Sequence, residues 1–498
     1  MKTTAKAKAS MRKSMITAGS LLFLGAALLC TRCSNDDDDN GETPPVDEIL
    51  DHLGDGSTAF EIKGNNTLKY PGTYSLKGFV YVTSGAKLTV EPGVIIKGDK
   101  ESKATLIVER GGQLIAAGTK ERPIVFTSAQ AKGQRSSGDW GGLILLGKAP
   151  NNKSEQTIEG GVRSNHGGSD PTDNSGVLSY VRVEFAGIEY ETDNEINGIT
   201  FGSVGSGTQV DHVQVSYSGD DSFEWFGGTV NAKYLIAFRG WDDDFDTDNG
   251  FSGNVQFALG LRDPKIGDKS ASNGFESDND ADGSTATPKT SAVFANVSLF
   301  GPVTDPANYT DESGEKGSPS GGPRFQAALH LRRNTNLSIF NSLIAAYPIG
   351  LIIENSDRGD AQAAATNGAL NVTNTVIAGV VKPFQDKQYW TDNTVYSPNA
   401  TDSAFTPGYF RRADGGNRAF AALTDLKLSS NPITNLTTPL AFPQSGSPIA
   451  SGAAWTHAKV APSFFEKVSY IGAFAPTETL ESSWASGWTN FNPQQTDY

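Results

Sequence analysis

Cysteine is almost absent from this chain of 498 residues, and the only two, Cys30 and Cys33, lie near its beginning. A domain held together by disulfides is therefore excluded, because such scaffolds need several paired cysteines. Basic residues are also scarce, with 41 lysines and arginines against 56 aspartates and glutamates, and the formal net charge is −15. This charge offers no basic surface to phosphates, so we predict no nucleic-acid partner.

Long hydrophobic runs are missing except for one, which extends from Met15 to Leu29. Basic residues precede it, at positions 2, 6, 8, 12 and 13. This order is typical of a signal peptide, and the run is short for a membrane span. A transporter with several spans is excluded, and we predict that residues 1–32 are a lipoprotein signal peptide.

Both cysteines directly follow the hydrophobic run, which favours acylation of one of them. Cys33 is preferred over Cys30 because the acidic run Asp36–Asp39 comes shortly after it. The alternative is a solvated linker behind an ordinary signal peptide. Residues 33–56 are acidic and contain proline and glycine, so we predict a flexible tether there.

Glycine is abundant, at 55 residues, and from about Phe60 onward it separates many short apolar segments. No helical periodicity persists for three turns. Three segments, 181–187, 213–219 and 234–240, share the form of a strand closed by glycine. Short strands in a coarse repeat of roughly 20–30 residues predict an all-β protein with a right-handed parallel β-helix over residues 57–475. A β-propeller is the alternative fold.

Smaller patterns add to this prediction. Asn296, Asn341 and Asn374 each precede a strand by one residue, which predicts a ladder of turn asparagines on successive coils. Residues 476–498 contain two tryptophans and are predicted to cap the last coil. Residues 142–148 have the spacing of a phosphate-binding loop but are filled with Leu and Ile, so we predict a buried strand and no nucleotide partner.

Four segments carry a resemblance to a known family: Asp139–Gly147, Gly219–Gly228, Asp242–Gly250 and Gly487–Phe491. They resemble a family of uncharacterised Bacteroidota surface lipoproteins, and the resemblance covers most of residues 60–498. It implies a pectate-lyase-like β-helix at the cell surface and no established activity. With the lipoprotein signal, it implies a lipid anchor in the outer membrane and a body that faces the cell exterior.

Acidic residues suggest two calcium sites. In the first, Asp278, Asp280 and Asp282 alternate before Gly283, as in the first half of an EF-hand loop. The twelfth position of that loop is lysine, so Glu276 or a neighbouring coil would have to complete the site. The alternative is a solvated acidic loop.

The second calcium site is predicted where two successive coils carry many carboxylates. If the coils stack in register, these groups converge and repel one another, and a cation would relieve the repulsion. The residues are Asp242, Asp243, Asp244, Asp246 and Asp248 on one coil and Asp220, Asp221 and Glu224 on the coil before. The alternative is an edge of the fold where the charges point into water.

Aromatic and basic residues near these acids are candidate ligand contacts. Trp225 and Trp241 flank the acidic coils and are predicted to stack on a sugar, with Arg239 nearby. On a predicted strand, His330 and Arg332 share one face and suit an anionic sugar, whereas a plain polar face is the alternative.

The favoured function is non-catalytic binding of a glycan or a partner surface by a lipid-anchored β-helix with calcium-ordered acidic coils. A calcium-dependent polysaccharide lyase or a glycoside hydrolase is one alternative. Residues 219–221 are similar to the paired-aspartate segment of polygalacturonase-type hydrolases, but the rest of that pattern is missing. A purely structural envelope protein is the other alternative, and no catalytic residue is assigned.

Overall fold

The computed structural model describes residues 48–154, 156–191, 194–268, 271–310, 325–386 and 404–498. The predicted signal peptide, Cys30, Cys33 and most of the predicted tether lie outside the described residues. The tether prediction extends too far, because Glu48–Ile49 pairs in a sheet and Leu53 is fully buried. All of the described residues belong to one compact unit.

Short strands dominate the described chain. In chain order they are Glu48–Ile49 (β1), Phe60–Ile62 (β2), Asn65–Leu68 (β3), Thr73–Leu76 (β4), Phe79–Val82 (β5), Lys87–Val90 (β6), Ile95–Gly98 (β7), Thr105–Val108 (β8), Gln113–Ala117 (β9), Ile124–Ser128 (β10), Gly142–Leu146 (β11), Gln156–Thr157 (β12), Asn165–His166 (β13), Gly176–Glu184 (β14), Glu189–Glu191 (β15), Asn194–Glu195 (β16), Ile199–Gly202 (β17), Gln209–Ser216 (β18), Phe223–Phe226 (β19), Asn231–Phe238 (β20), Phe245–Asp248 (β21), Asn254–Leu261 (β22), Phe275–Ser277 (β23), Val293–Phe300 (β24), Ala327–Leu331 (β25), Ser338–Phe340 (β26), Leu343–Ala345 (β27), Ile349–Ile353 (β28), Asn355–Ser356 (β29), Gly359–Asp360 (β30), Asn371–Thr373 (β31), Val376–Ala378 (β32), Lys382–Gln385 (β33) and Arg418–Phe420 (β34).

Helices are few and short. The α-helices are Ala361–Thr366 (α1) and Phe405–Phe410 (α2), and the 3₁₀ turns are Leu423–Leu426, Ala458–Val460 and Pro493–Gln495. No helix among the described residues has the length and apolar character to cross a membrane.

Two long parallel sheets run the length of the fold. Sheet B, with 11 strands, is a single ladder in which each coil adds one strand, from β2 through β5, β8, β11 and onward to β33. Sheet A, with 17 strands, is built from two ladders that merge in the long strands β14, β18, β20, β22 and β24 and separate again after them. One strand per coil in continuous parallel ladders is a parallel β-helix, as predicted, and the alternative of a propeller is wrong.

The long strands of sheet A bend at one register position. There the backbone has positive φ, at Tyr180, His212, Tyr234, Phe257 and Asn296. This conformation is costly for residues with a Cβ, and stacking offsets the cost for the aromatic ones. Successive ring centroids are 4.2, 4.4 and 5.2 Å apart.

The predicted asparagine ladder continues this column. Asn341 and Asn374 also have positive φ, and Asn374 Nδ2 donates to Asn341 Oδ1 at 2.6 Å. Asn296 instead accepts from Gln256 Nε2 at 3.1 Å. The ladder therefore exists, but its direct amide contact joins only the last two members.

The core fills the space between the sheets. In sheet B the residues Phe223, Phe245 and Phe275 occupy one register position, with ring centroids 5.6 and 5.1 Å apart, and all three are fully buried. The strand predicted over 142–148 exists as β11 and is buried throughout.

After β34 the chain leaves the coils, and residues 421–498, here called the strap, lie along the outer surface of sheet A. Leu440, Phe474 and Trp488 of the strap pack against Phe238 and Leu343 of the sheet in one buried cluster. The prediction that residues 476–498 cap the last coil is wrong. They lie against coils near the middle and beginning of the fold, because apolar residues there face outward and need cover.

Three side-chain amides of sheet A hold the strap. Each bonds both the N–H and the C=O of one strap residue, as a neighbouring strand would. The pairs are Gln214 with Asn490, Gln256 with Glu466 and Asn341 with Ala454, at 2.7–3.0 Å. Later coils bind earlier parts of the strap, so it runs back toward the first coils, where Arg135 donates to the carbonyls of Pro493 and Thr496.

Candidate metal centre

A ladder of side chains marks the corner where the chain enters sheet B. Asp221 Oδ1 accepts from the backbone N–H of Asp243 at 2.7 Å, and Asp243 Oδ1 accepts from that of Asn273. Asn273 Oδ1 in turn accepts from Ala327 N at 3.1 Å. Each side chain thus bonds the next coil, which holds it in place.

The next acidic row lies on the outward face of sheet B itself. Glu224, Asp246 and Glu276 are direct neighbours on β19, β21 and β23, one coil apart. Adjacent parallel strands are about 4.8 Å apart, so the three carboxylates face one another closely. Thr200 precedes them in the row and His330 follows.

The corner and the row together hold three overlapping groups of three carboxylates. Within each group the ligand oxygens all lie within 4.8 Å of one another. The groups are Asp220, Asp221 and Asp242; Asp221, Glu224 and Asp246; and Asp243, Asp246 and Glu276. We call these seven residues the acidic corner. The predicted convergence of the two acidic coils is therefore present.

Burial and mutual repulsion make ionisation of the acidic corner unfavourable. Burial raises the pKa of Asp221 well above its usual range, and the charges of Asp220 and Asp243 raise it further. Burial likewise raises the pKa of Asp246, with Glu224 and Glu276 adding to the effect. Such groups hold protons or a cation rather than standing as bare anions.

Two buried oxygens at the acidic corner have no hydrogen-bond partner in the part of the chain that the structure describes. They are Asp246 Oδ1 and the side-chain oxygen of Asn197, a residue that is 4% exposed. Asn197 Nδ2 donates to Glu224 Oε2, which places this amide at the edge of the corner. Calcium takes six to eight oxygen ligands from carboxylates, amides and carbonyls, and this set of groups fits that demand.

Positive charge meets the acidic corner at its Glu276 end and at Asp243, where Arg262 opposes the rise in the pKa that burial causes. Burial alone would raise the pKa of Glu276, but Arg332 and His330 outweigh it and lower the pKa to about 2. Arg332 also donates to Asp278 at 2.8 Å, and Arg333 donates to Asp278 at 2.6 Å. The corner is therefore neutralised by arginine near Glu276 and carries its excess negative charge toward Asp220.

The EF-hand-like prediction is wrong. Asp278 is paired with two arginines, and Asp280 accepts from the backbone N–H groups of Asp282 and Ser284 at 3.0 and 2.9 Å. Asp282 is exposed and pairs with Lys153 at 3.1 Å. The three carboxylates do not form one group, because Asp278 pairs with the two arginines, whereas Lys153 lies 3.1 Å from Asp282 and 3.8 Å from Asp280.

Two further predicted ligands lie away from the acidic corner. Asp244 is fully buried and pairs with Arg262, with 3.2 Å between Oδ1 and Nε, and it accepts from the Tyr347 hydroxyl at 3.2 Å. Burial raises the pKa of Asp244 to about 6, against the opposing effect of Arg262. Asp248 lies beside Asp278, and burial together with that charge raises its pKa to about 8. Asp244 therefore lies in a buried ion pair with Arg262 and belongs to none of the three carboxylate groups.

Of the predicted ligand contacts, Trp225 is corrected to a core residue. It is fully buried, and its ring stacks on Phe251 with centroids 5.2 Å apart. Trp241 is partly exposed beside Asp242 and keeps its position next to the corner. Arg239 lies apart from the corner, since its guanidinium pairs with Asp263 and contacts Tyr217 and the Leu436 carbonyl of the strap.

His330 lies on the predicted outward face of β25, and Arg332 directly follows the strand, whereas Leu329 and Leu331 lie in the core. His330 is fully buried, 3.0 Å from Glu354 and 3.6 Å from Glu276. Burial would lower the pKa of His330, but its bonds to these two glutamates outweigh burial and raise it. Both basic residues are committed to ion pairs.

Asn197 and Asn273 are not among the predicted site residues, although a repeated sequence motif contains them. The motif Asp/Asn-Xaa-Phe-Asp/Glu occurs at 221–224, 243–246 and 273–276, and 197–200 is a variant of it. In each copy the first residue lies at the corner, the apolar third enters the core and the fourth faces outward on sheet B. The acidic corner is thus a repeated structural motif.

Comparison with known proteins gives one finding on the family. The family described as a pectate-lyase-like β-helix domain matches residues 60–410, which include every strand of sheet B and the whole acidic corner. No curated protein and no solved structure matches the chain. The match extends over more than half of the chain, and the protein therefore belongs to the family of pectate-lyase-like β-helix domains.

Proposed function

We propose that this protein is a calcium-dependent binding protein of the cell surface, and that its acidic corner holds the calcium and presents it to an acidic glycan. The observation that carries the proposal is the set of three overlapping carboxylate triads, whose oxygens lie within 4.8 Å of one another. Burying so many like charges is unfavourable unless a cation or protons accompany them.

The residues of the acidic corner would have different roles in binding calcium. Asp221 and Asp246 each belong to two triads, so they would bridge neighbouring cation positions. Asp221 and Asp243 are held by the corner ladder, which pre-organises them for binding. Asp220 and Asp242 are partly exposed and lie in a triad that shares no residue with the one containing Glu276, so a cation there would keep positions for ligands from outside.

An acidic polysaccharide is the ligand class that this arrangement favours. Its carboxylates or sulfates would complete the calcium coordination, whereas without calcium the acidic corner would repel it. Trp241 lies next to Asp242 and is partly exposed, so it could contact a sugar ring. A partner protein with exposed carboxylates would use the same chemistry.

Binding is better supported than polysaccharide cleavage. A lyase needs a basic side chain free to take a proton next to the calcium. The basic residue nearest the acidic corner is Arg332, whose side chain is 13% exposed and is paired with both Glu276 and Asp278. A base with two carboxylate partners is poorly placed to act on a substrate.

The location follows from the sequence interpretation and belongs to the same proposal. Cys33 would carry the lipid, the acidic residues after it would form a tether, and the β-helix would face the exterior from the outer membrane. The resemblance to Bacteroidota surface lipoproteins supports this part.

Replacing both bridging residues tests the calcium and glycan parts together. We expect the double variant Asp221→Asn, Asp246→Asn to lose calcium binding, measured by titration calorimetry, and to lose retention on an acidic polysaccharide column in calcium. Asp282→Asn is the matched control, because this exposed aspartate lies outside the triads and should leave both unchanged. Equal calcium affinity in wild type and the double variant would contradict the assignment, and calcium binding without glycan retention would contradict only the ligand class.

Replacing the cysteines tests the anchor. We expect Cys33→Ala to move the full-length protein from the membrane fraction to the soluble fraction and to abolish labelling by a fatty-acid analogue. Cys30→Ala should remain membrane-bound. The opposite result, with release only by Cys30→Ala, would move the acylation site to Cys30.

A further inference from the structure

A groove separate from the acidic corner lies between the strap and the loop that follows β24. Its largest part is a cavity of about 610 Å³ between residues 303–307 and residues 421–431. A second cavity of about 290 Å³ adjoins it at Ser430, and a third of about 120 Å³ adjoins it at Thr304 and Asp305. The volume of the central cavity falls within the range of about 300–1,000 Å³ that is typical of ligand sites.

Uncharged polar side chains share the lining of the groove with apolar ones. Hydroxyl and amide groups come from both walls, among them Thr304, Thr424, Ser430, Asn431 and Asn435. The charged groups are Asp305 and Lys427 in the central cavity and Glu478 and Glu481 in the second one. Three acids against one base give no attraction for an anionic ligand, and no acidic triad lies among these residues.

Several of these polar groups are uncommitted. The side chains of Thr304, Thr424 and Lys427 have no hydrogen-bond partner within the ranges that the structure describes. The apolar part of the central cavity is aliphatic, with Val303, Leu423 and Leu428. Free hydroxyl donors and acceptors beside an aliphatic surface match a ligand that carries both hydroxyls and apolar C–H faces.

An extended peptide is a poorer match. Peptides bind β proteins by pairing with a strand edge, and the nearest edge strand is β34, Arg418–Phe420. None of its three residues lines the cavities, so the groove provides side-chain hydrogen-bonding groups in place of a backbone ladder.

We infer that this groove binds a neutral oligosaccharide, in an extended form that follows the row of three cavities. The site is independent of the calcium site proposed above, since the two share no residue. The strap forms one wall of the groove and would therefore have a binding role as well as a structural one.

The test uses the whole chain in the presence of a chelator, which removes any contribution from calcium. Probes are neutral gluco-, manno- and xylo-oligosaccharides of several linkages, with oligogalacturonate as the acidic arm, measured by calorimetry. We expect at least one neutral probe to bind, and Ala421→Trp, which fills the central cavity, to weaken it by roughly tenfold or more. Thr424→Val removes one free hydroxyl and should weaken it less, by roughly threefold to tenfold.

Thr477→Val is the matched control, because Thr477 is an exposed strap residue that lines none of the cavities. It should bind like wild type, and equal melting temperatures would show that all variants are folded. The inference is overturned if no neutral probe binds wild type, if only the acidic probe binds, or if Ala421→Trp binds the neutral probe unchanged. Binding of acidic glycan in calcium should survive Ala421→Trp, which separates this result from a failure of the calcium site.

Discussion

In the presence of a chelator, the protein should become less stable as the pH rises from about 4 to about 8, and calcium should reverse this loss. The acidic corner is the reason. A carboxyl group whose pKa is higher in the folded protein than in the unfolded chain binds more protons when folded. Its contribution therefore favours folding least at a pH above both values.

Two buried aspartates outside the acidic corner add to this loss and mark the upper end of the window. Burial and Asp278 raise the pKa of Asp248 to about 8, and burial raises that of Asp244 to about 6. Ordinary aspartates in unfolded chains titrate near 3.9. His330 acts in the same direction, because its raised pKa gives a stabilisation that disappears as the proton is lost. Glu276, with its pKa lowered to about 2, acts in the opposite direction and only in acid.

Calcium would take the place of the protons that the carboxyl groups of the acidic corner lose as the pH rises. A ligand present at a hundredfold excess over its Kd adds about 2.7 kcal/mol to the free energy of unfolding. The expected result is a melting temperature that falls with pH in chelator and stays high in calcium. A chelator series that is flat or rises with pH, or a melt that calcium leaves unchanged, would contradict the site.

The double variant Asp221→Asn, Asp246→Asn sharpens this test. Asparagine is shaped like the protonated acid, and Asp221 can keep its bond from the Asp243 N–H through the amide oxygen. In chelator near pH 8 we therefore expect this variant to melt above wild type, and calcium should no longer shift it. A substitution that raises the melting temperature and abolishes the calcium response indicates a binding site. In a purely structural network, the same substitution would lower the melting temperature.

The fold was predictable because each coil repeats its own local pattern. Alternating apolar residues with a glycine after the strand, as in 213–219, specify a strand and a turn without reference to distant residues. The bend residues of sheet A, which have positive φ, show where a prediction from local pattern fails. The asparagines at 296, 341 and 374 indicate this bend in the sequence, because asparagine tolerates positive φ. Tyr180, His212 and Tyr234 do not indicate it, since their positive φ is stabilised by rings that stack across coils.

The acidic corner was predictable in part for the same reason. Asp220, Asp221 and Glu224 recur one coil later as Asp242, Asp243 and Asp246, so stacking brings them together. The alternation of Asp278, Asp280 and Asp282 was misleading because the partners that satisfy Asp278 come from another coil, at Arg332 and Arg333. The spacing of residues along the sequence gives no information about ion pairs between coils.

The strap was not predictable from local pattern, because its position is decided by residues far away in sequence. Its backbone is held by Gln214, Gln256 and Asn341, which carry no sign of this role in the sequence. Nothing near Trp484 or Trp488 distinguishes a tail that covers the last coil from one that turns back over the sheet. The outward apolar residues of sheet A decide between them, since they need a cover.

Replacing Trp488, which packs the strap against sheet A, should therefore destabilise the whole β-helix. Trp488 is fully buried, and its ring lies edge-on to Tyr180 and His212, with centroids 5.9 and 5.8 Å away. We expect Trp488→Ala to lower the free energy of unfolding by about 3–5 kcal/mol, measured by denaturant titration. Leu480→Ala is the control, because this strap residue is 44% exposed and should change the value by less than about 0.5 kcal/mol.

Hydrogen exchange locates the effect of the same substitution. If the strap covers sheet A as a structural element, Trp488→Ala should speed exchange at the amides of β14, β18 and β20, which lie beneath it, before those of sheet B. A tail that only covers the end of the solenoid would instead expose β33 and β34 first. Equal protection of β18 in wild type and Trp488→Ala would show that the coils are stable without the strap, and would limit the role of residues 421–498 to forming the groove.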